Sequence, residues 1–176
     1  TYTDNGLPYS FTDTNPADVV EPLLHIGKWY QTPAGCQGKL AEDDFNYAGI
    51  LGPPYWTVVG GGTWSLSNGR AMAPTGTGSR YAVNGVATWT DYSVSAMVYS
   101  TDSTGDLGLV FRYQDASNFY RFVWNRANTA GYYRLERVIG GVRTTLGTQV
   151  NTRYELNRWY HLEVRVAGNQ LEAYID

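Results

Sequence analysis

The chain has 176 residues, of which 43% are hydrophobic and only 16% charged, with a formal net charge of −3. That length suits one medium domain, or one domain with an extension. A weakly acidic chain without a basic run is not built to track phosphates, which excludes a nucleic-acid binder, and no apolar stretch approaches the ~18 residues of a membrane span.

Aromatics make up 15%, with 15 Tyr and 6 Trp beside 20 Gly. Low charge with many Tyr, Trp, Thr and Gly is the profile of a strand-rich chain with many turns. The single Cys36 rules out an internal disulfide and a cysteine zinc cluster.

Thr1–Glu21 carries Asp4, Asp13, Asp18 and Glu21, two prolines and little periodicity, and reads as an extended arm. In Pro22–Thr32 two short apolar runs flank Gly27-Lys28, which predicts a β-hairpin with a tight turn there. Pro33–Gly38 is a linker by composition. Residues 1–41 are too polar and too short for a core of their own. They are expected to dock on the remainder of the chain or on another subunit, through a hairpin at Leu23–Tyr30.

From about residue 42 the chain reads as short strands between turns. Trp56–Val59 precedes Gly60-Gly61-Gly62; Thr63–Ser67 and Arg70–Ala73 flank Asn68-Gly69. Alternation puts Tyr92, Val94, Ala96 and Val98 on one face, and Leu107, Leu109, Phe111 and Tyr113 on one face of the next strand. Tyr120, Phe122 and Trp124 alternate with Phe119, Arg121 and Val123. Tyr160, Leu162, Val164 and Val166 alternate with His161, Glu163 and Arg165. Period-two runs mark half-buried strands. Turn pairs at Asn68-Gly69, Asn84-Gly85, Gly140-Gly141 and Gly168-Asn169 predict hairpins. No long amphipathic helix is visible. The pattern predicts an all-β, antiparallel two-sheet β-sandwich, with Val94, Val98, Leu109, Phe111, Leu162 and Val164 in its core.

The stretches DDFN (Asp43–Asn46), W-S-x-x-N-G (Trp64–Gly69), DYSV (Asp91–Val94), GLVFRY (Gly108–Tyr113) and WYHLEV (Trp159–Val164) together resemble the concanavalin A-like, laminin-G-like domains of bacterial secreted proteins and bacteriophage tail proteins. The resemblance spans roughly residues 43–176 and implies a concanavalin A-like jelly roll for 42–176, preceded by the arm, hairpin and linker of 1–41. Gly27-Lys28-Trp29 also resembles short hairpins that precede such modules in tail proteins of phages infecting actinobacteria. Members of the family usually run on past the motif matched by Leu171–Asp176, so the sandwich is expected to be incomplete at its C-terminal side and completed by further residues or another chain.

Glycoside hydrolases of this fold resemble one another in an E-x-D-x-(x)-E strand, which sets three carboxylates on one face. No such strand occurs here; Glu163, Glu172 and Asp176 have the wrong spacing. His25 and His161 are isolated, Ser79 has no G-x-S-x-G context, and Gly60-Gly61-Gly62 has no lysine. No enzyme activity and no cofactor are expected. Asp43, Asp44, Asp102 and Asp106 leave a structural calcium as an open alternative, because relatives of this fold often hold one.

The richest constellation is Arg112, Tyr113, Asn118, Arg121, Trp124, Tyr133 and Arg134. Sugars stack on aromatic faces while guanidinium forks fix hydroxyls or carboxylates, so this set is the candidate ligand-binding site. The same residues also suit a core and a polar sheet face. The expectation is a non-catalytic module that binds a glycan or cell-surface polymer, within a larger extracellular or phage-tail protein. A purely structural virion sandwich assembled with other copies is the alternative, and a polysaccharide hydrolase the least favoured.

Overall fold

The computed structural model describes residues 24–31, 37–76, 78–126 and 131–176, the stretches 24–31 and 37–39 as backbone only. Among the described residues there is no helix, and the strands pair antiparallel throughout. Strands β1 (Leu24–Gln31), β2 (Gln37–Asp43), β8 (Tyr92–Tyr99), β13 (Trp159–Ala167) and β14 (Gln170–Ile175) form a five-stranded sheet in the order β14-β13-β8-β1-β2. Strands β9 (Asp106–Asp115), β10 (Asn118–Asn125), β11 (Tyr132–Ile139) and β12 (Val142–Val150) form a second sheet in the order β12-β11-β10-β9. Five short strands between β2 and β8 in the chain make smaller sheets: β3 (Gly49–Ile50), β5 (Ser65–Leu66) and β6 (Ala71–Met72) in one, β4 (Thr57–Val59) and β7 (Tyr81–Val83) in the other.

The two large sheets pack face to face, so the chain is a β-sandwich. Period-two alternation supplies the core. Tyr92 and Val94 from β8 and Tyr160, Leu162, Val164 and Val166 from β13 meet Leu109 and Phe111 from β9 and Phe122 and Trp124 from β10. Val98 is half-buried against the same cluster, and Leu171, Ala173 and Ile175 bring β14 onto it. Tyr154 is fully buried; its hydroxyl donates to the carbonyls of Asp102 and Gly105, so the phenol leaves no polar atom unpaired in the core.

A smaller cluster of Leu51, Trp56 and Leu66 underlies the short sheets. It is tied to the end of β2 by the buried Asp43, whose Oδ1 accepts from the Phe45 N–H (2.7 Å). Its Oδ2 accepts from the Tyr47 hydroxyl (2.9 Å) and Trp56 Nε1 (2.7 Å). Burial, then the Asp43 carboxylate, pushes the Tyr47 phenol up to about 12. With both oxygens engaged by donors, Asp43 is poorly suited to a calcium ion. Among the described residues no three His, Cys, Asp or Glu side chains gather as a metal would require.

The turn chemistry read from sequence explains two hairpins. Asn68 and Gly69 have φ of 53° and 66°, and Ser67 and Arg70 exchange backbone hydrogen bonds across them, closing β5–β6. Gly140 and Gly141, at 55° and 80°, close β11–β12. Asn84-Gly85, in contrast, closes no hairpin: β7 ends at Val83 and the chain crosses to β8 in the five-stranded sheet.

Two expectations are revised by tertiary pairing. In place of a tight turn at Gly27-Lys28, β1 runs unbroken from Leu24 to Gln31. Its ladder with β8, from Gly27↔Ser95 to Tyr30↔Tyr92, holds the segment extended, and the irregularity at Lys28 occurs only in the register with β2. Residues 41 and 42 both lie within β2. Residues 1–23 and 32–36 lie outside the described residues. Tyr113 also leaves the face of Leu109 and Phe111. The β9–β10 register shifts between Asn118 and Tyr120, Arg112 takes φ +46°, and its N–H donates to the Tyr92 hydroxyl (2.5 Å). This bulge turns Tyr113 to the other side of the sheet, against Phe119 and Tyr81.

Candidate functional site

Strand β10 is covered on both faces. Phe122 and Trp124 face the sandwich core, while Phe119 and Val123 are buried on the opposite, outer face. On that outer face the β10–β11 register sets Arg121 opposite Glu136, and two-residue periodicity puts Arg134 on the same side.

The three side chains converge. Arg121 Nε donates to Glu136 Oε2 at 2.6 Å, and Arg134 Nε donates to Glu136 Oε1 at 2.6 Å. The Glu136 side chain is 1% exposed, those of Arg121 and Arg134 11% and 24%. Arg134 Nη1 also donates to Gln149 Oε1 (2.6 Å), and its guanidinium lies 4.3 Å above the Tyr132 ring. Tyr81 packs on Phe119 (ring centroids 5.2 Å) and on Tyr113 (6.2 Å) beside this group. Arg143 Nη2 reaches Ser79 Oγ at 3.2 Å, joining β12 to the segment that leads into β7.

Burial by itself would raise the Glu136 carboxyl. The hydrogen bonds and charges of Arg121 and then Arg134 outweigh it and hold the group below its ordinary range. A carboxylate saturated by two guanidiniums is a poor proton donor and a poor nucleophile. Two guanidiniums against one carboxylate leave one positive charge in excess. Arg121 spends one of its five N–H donors on the Nε bond. The cluster is therefore chemically suited to holding ligand oxygens beside aromatic rings, and it offers no acid–base pair.

The seven residues singled out from the sequence divide by position. Arg121 and Arg134 are brought together on the outer face by Glu136, with Tyr132 against Arg134; Tyr113 is on the same face, packed on Phe119 and Tyr81. Trp124 and Tyr133 sit on the core side, where Trp124 packs edge-on against Tyr133, Tyr154 and Tyr160 and donates from Nε1 to the Thr152 carbonyl (3.1 Å). Arg112 fastens two loops: Nε donates to the Thr90 carbonyl (2.9 Å) and Nη2 to the Gly168 carbonyl (2.7 Å). Asn118 braces the β9–β10 turn through Asp115 and accepts from the Gly140 N–H. Sequence reasoning passed over Glu136, Tyr81 and Tyr132. Arg134-Leu135-Glu136 carried a signal, because residues two apart on a strand share a face, but the partner Arg121 emerges only from the register.

The sandwich has a counterpart among solved structures. The chain is similar to a carbohydrate-binding module. It matches the module CBM66 from Bacillus subtilis with a TM-score of 0.58 and 20% identity, over 69% of this chain and 73% of that one. At that identity the likeness shows the shared β-sandwich fold. Among curated proteins the chain is 29% identical over 127 residues, 69% of its length, to an extracellular exo-α-L-arabinofuranosidase from Streptomyces chartreusis. It spans 14% of that protein's length. No family model matches the chain.

Proposed function

We propose that this chain is a non-catalytic carbohydrate-binding module of a larger extracellular protein, a sandwich of the concanavalin A-like, laminin-G-like kind. The observation that carries the reading is the likeness to a carbohydrate-binding module. It is supported by a match to a secreted glycosidase that takes up only 14% of that enzyme's length, a share in keeping with an accessory module. The proposed site is the outer face of the four-stranded sheet. Arg134 and Arg121 would donate to sugar hydroxyls or a carboxylate, Glu136 would hold both guanidiniums in place, and Tyr81, Tyr113 and Tyr132 would line the contact.

Affinity electrophoresis and calorimetry against arabinan, xylan, laminarin, agar and peptidoglycan test this. Wild type should bind at least one polymer without turning it over. Arg134→Gln should weaken that binding at least about tenfold, the loss of one charge-assisted hydrogen bond, measured well below its own melting temperature, which should fall because the buried Glu136 then keeps Arg121 alone. Turnover that disappears on replacing a single carboxylate would make the chain an enzyme. No binding to any polymer, together with a multimeric mass in solution, would favour a structural sandwich assembled with other copies, as in a phage tail.

A further inference from the structure

The outer face of the five-stranded sheet lies on the opposite side of the sandwich from the Arg121–Glu136–Arg134 cluster, and it is populated by exposed aromatic side chains. The β8–β13 register sets Tyr99 opposite Trp159 and Met97 opposite His161; the β13–β14 register sets Glu163 opposite Tyr174. Tyr99 is 38% exposed, Trp159 41%, Tyr174 42% and Met97 57%. These side chains alternate with the core residues Tyr160, Leu162 and Val164, so strand periodicity, not loop conformation, fixes where they stand.

The rings are organised. Tyr99 and Trp159 lie 5.1 Å apart at 37°, and the Tyr99 hydroxyl donates to Asn157 Oδ1 (3.2 Å). Arg70, from the β5–β6 turn, places its guanidinium 5.2 Å from the Trp159 ring; Arg165 places its own 4.5 Å from Tyr174. Each end of the row thus pairs an aromatic ring with a forked donor. From Trp159 to the position of Glu163 is about 14 Å along β13 at ~3.4 Å per residue, and Tyr174 stands one strand over, ~4.8 Å away. That span engages several sugar rings in succession rather than one.

The charge on this face decides which polymer fits. Arg165 is bound to Glu163 (2.7 and 3.2 Å), Arg158 to Glu155 (3.0 Å), and the Tyr174 hydroxyl donates to Glu172 (2.8 Å). The ionic groups largely neutralise one another in place. A strongly charged polymer meets no complementary field here. An uncharged polymer with apolar ring faces and many hydroxyls meets stacking surfaces and donors.

We propose that this face is a second binding surface, which takes a neutral polysaccharide chain laid along β13 between the Tyr99–Trp159 pair and Tyr174. The inference rests on the carbohydrate-binding reading above, and extends it from one site to two on opposite faces. A module built this way would hold single chain segments at the cluster and extended polymer on the platform, so its retention on polymer would exceed its affinity for short oligosaccharides.

The test uses the full chain, with arabinan, xylan and laminarin as polymers and their trisaccharides as short probes. The doubly substituted Tyr99→Ala, Trp159→Ala protein should lose about fivefold or more in polymer affinity, since two aromatic stacking contacts are removed. Its trisaccharide affinity and melting temperature should hold. Tyr174→Ala should weaken polymer binding in the same sense and provides a check should the double variant fold poorly. Arg134→Gln, on the other face, should weaken trisaccharide and polymer alike. Polymer affinity of both platform variants within about twofold of wild type overturns the platform and leaves the carbohydrate reading standing. Failure of wild type to bind any probe overturns both. A change in solution mass on substituting Trp159 would identify the face as a protein interface and overturn the proposal.

Discussion

At the scale of single residues, Glu136 concentrates the electrostatics of the four-stranded sheet. It is fully buried, and its two oxygens are each held by a guanidinium at 2.6 Å. Glu136→Ala removes the carboxylate and leaves Arg121 and Arg134 facing one another with little water. Breaking a buried pair in this way costs about 3–5 kcal/mol, to be read from the urea midpoint. Glu136→Gln keeps the shape and loses the charge, and should fall between Ala and wild type. The direction of the shift sets the pH dependence. The folded carboxyl lies below its ordinary 4.5, so its contribution is fully present above that value and is lost as pH falls through the folded value. The stability gap between wild type and Glu136→Gln should therefore narrow on acidification below 4.5. A gap that stays constant would mean that the carboxylate is not ionised in the fold.

At the scale of elements, the loop after β4 shows how close approach and backbone conformation act separately. Gly60, Gly61 and Gly62 all have positive φ. A Cβ on Gly60 would sit 2.0 Å from the Ser79 carbonyl oxygen, whereas one on Gly61 would meet open space. Gly61→Ala should cost only the left-handed penalty of about 1–2 kcal/mol. Gly60→Ala should cost clearly more, because the backbone of Ser79 must move as well. Thermal melts of the two variants side by side decide this; equal costs would show that the Gly60–Ser79 contact yields freely. Adjacent in the chain and alike in φ, the two glycines look identical in sequence, and only the neighbouring segment separates them.

At the scale of the whole molecule, two apolar clusters share one chain. The larger lies between the five- and four-stranded sheets; the smaller, around Leu51, Trp56 and Leu66, lies under the short sheets and is joined to β2 through Asp43. Separate clusters unfold with separate free energies when few contacts join them. Asp43→Ala leaves the Trp56 indole N–H and the Phe45 amide without their acceptor. Hydrogen exchange should then quicken across residues 44–83, while amides of β8, β10 and β13 keep their protection. Uniform loss of protection would show that the molecule opens as one unit.

Much of the architecture was legible beforehand because it is written in neighbouring residues. Alternation in β8, β10 and β13 places Val94, Phe122 and Leu162 in the core, and the dipeptides at residues 68–69 and 140–141 supply the positive φ that two-residue hairpins require. The chemistry of the faces was not written that way. The bulge at Arg112 needs the Tyr92 hydroxyl from another sheet, and it turns Tyr113 away from the strand face that alternation assigned to it. Arg121 meets Glu136, and Trp159 meets Tyr99, only through strand register. The sequence by itself determined that β8, β10 and β13 are strands and which side of each is apolar, since these depend on spacing within a few residues, whereas β1 and β2, read as a hairpin and a linker, are strands through their pairing. Tertiary structure alone decided which polar and aromatic side chains stand together on the two outer faces. Register between strands is set by how the whole core packs, and no local spacing encodes it.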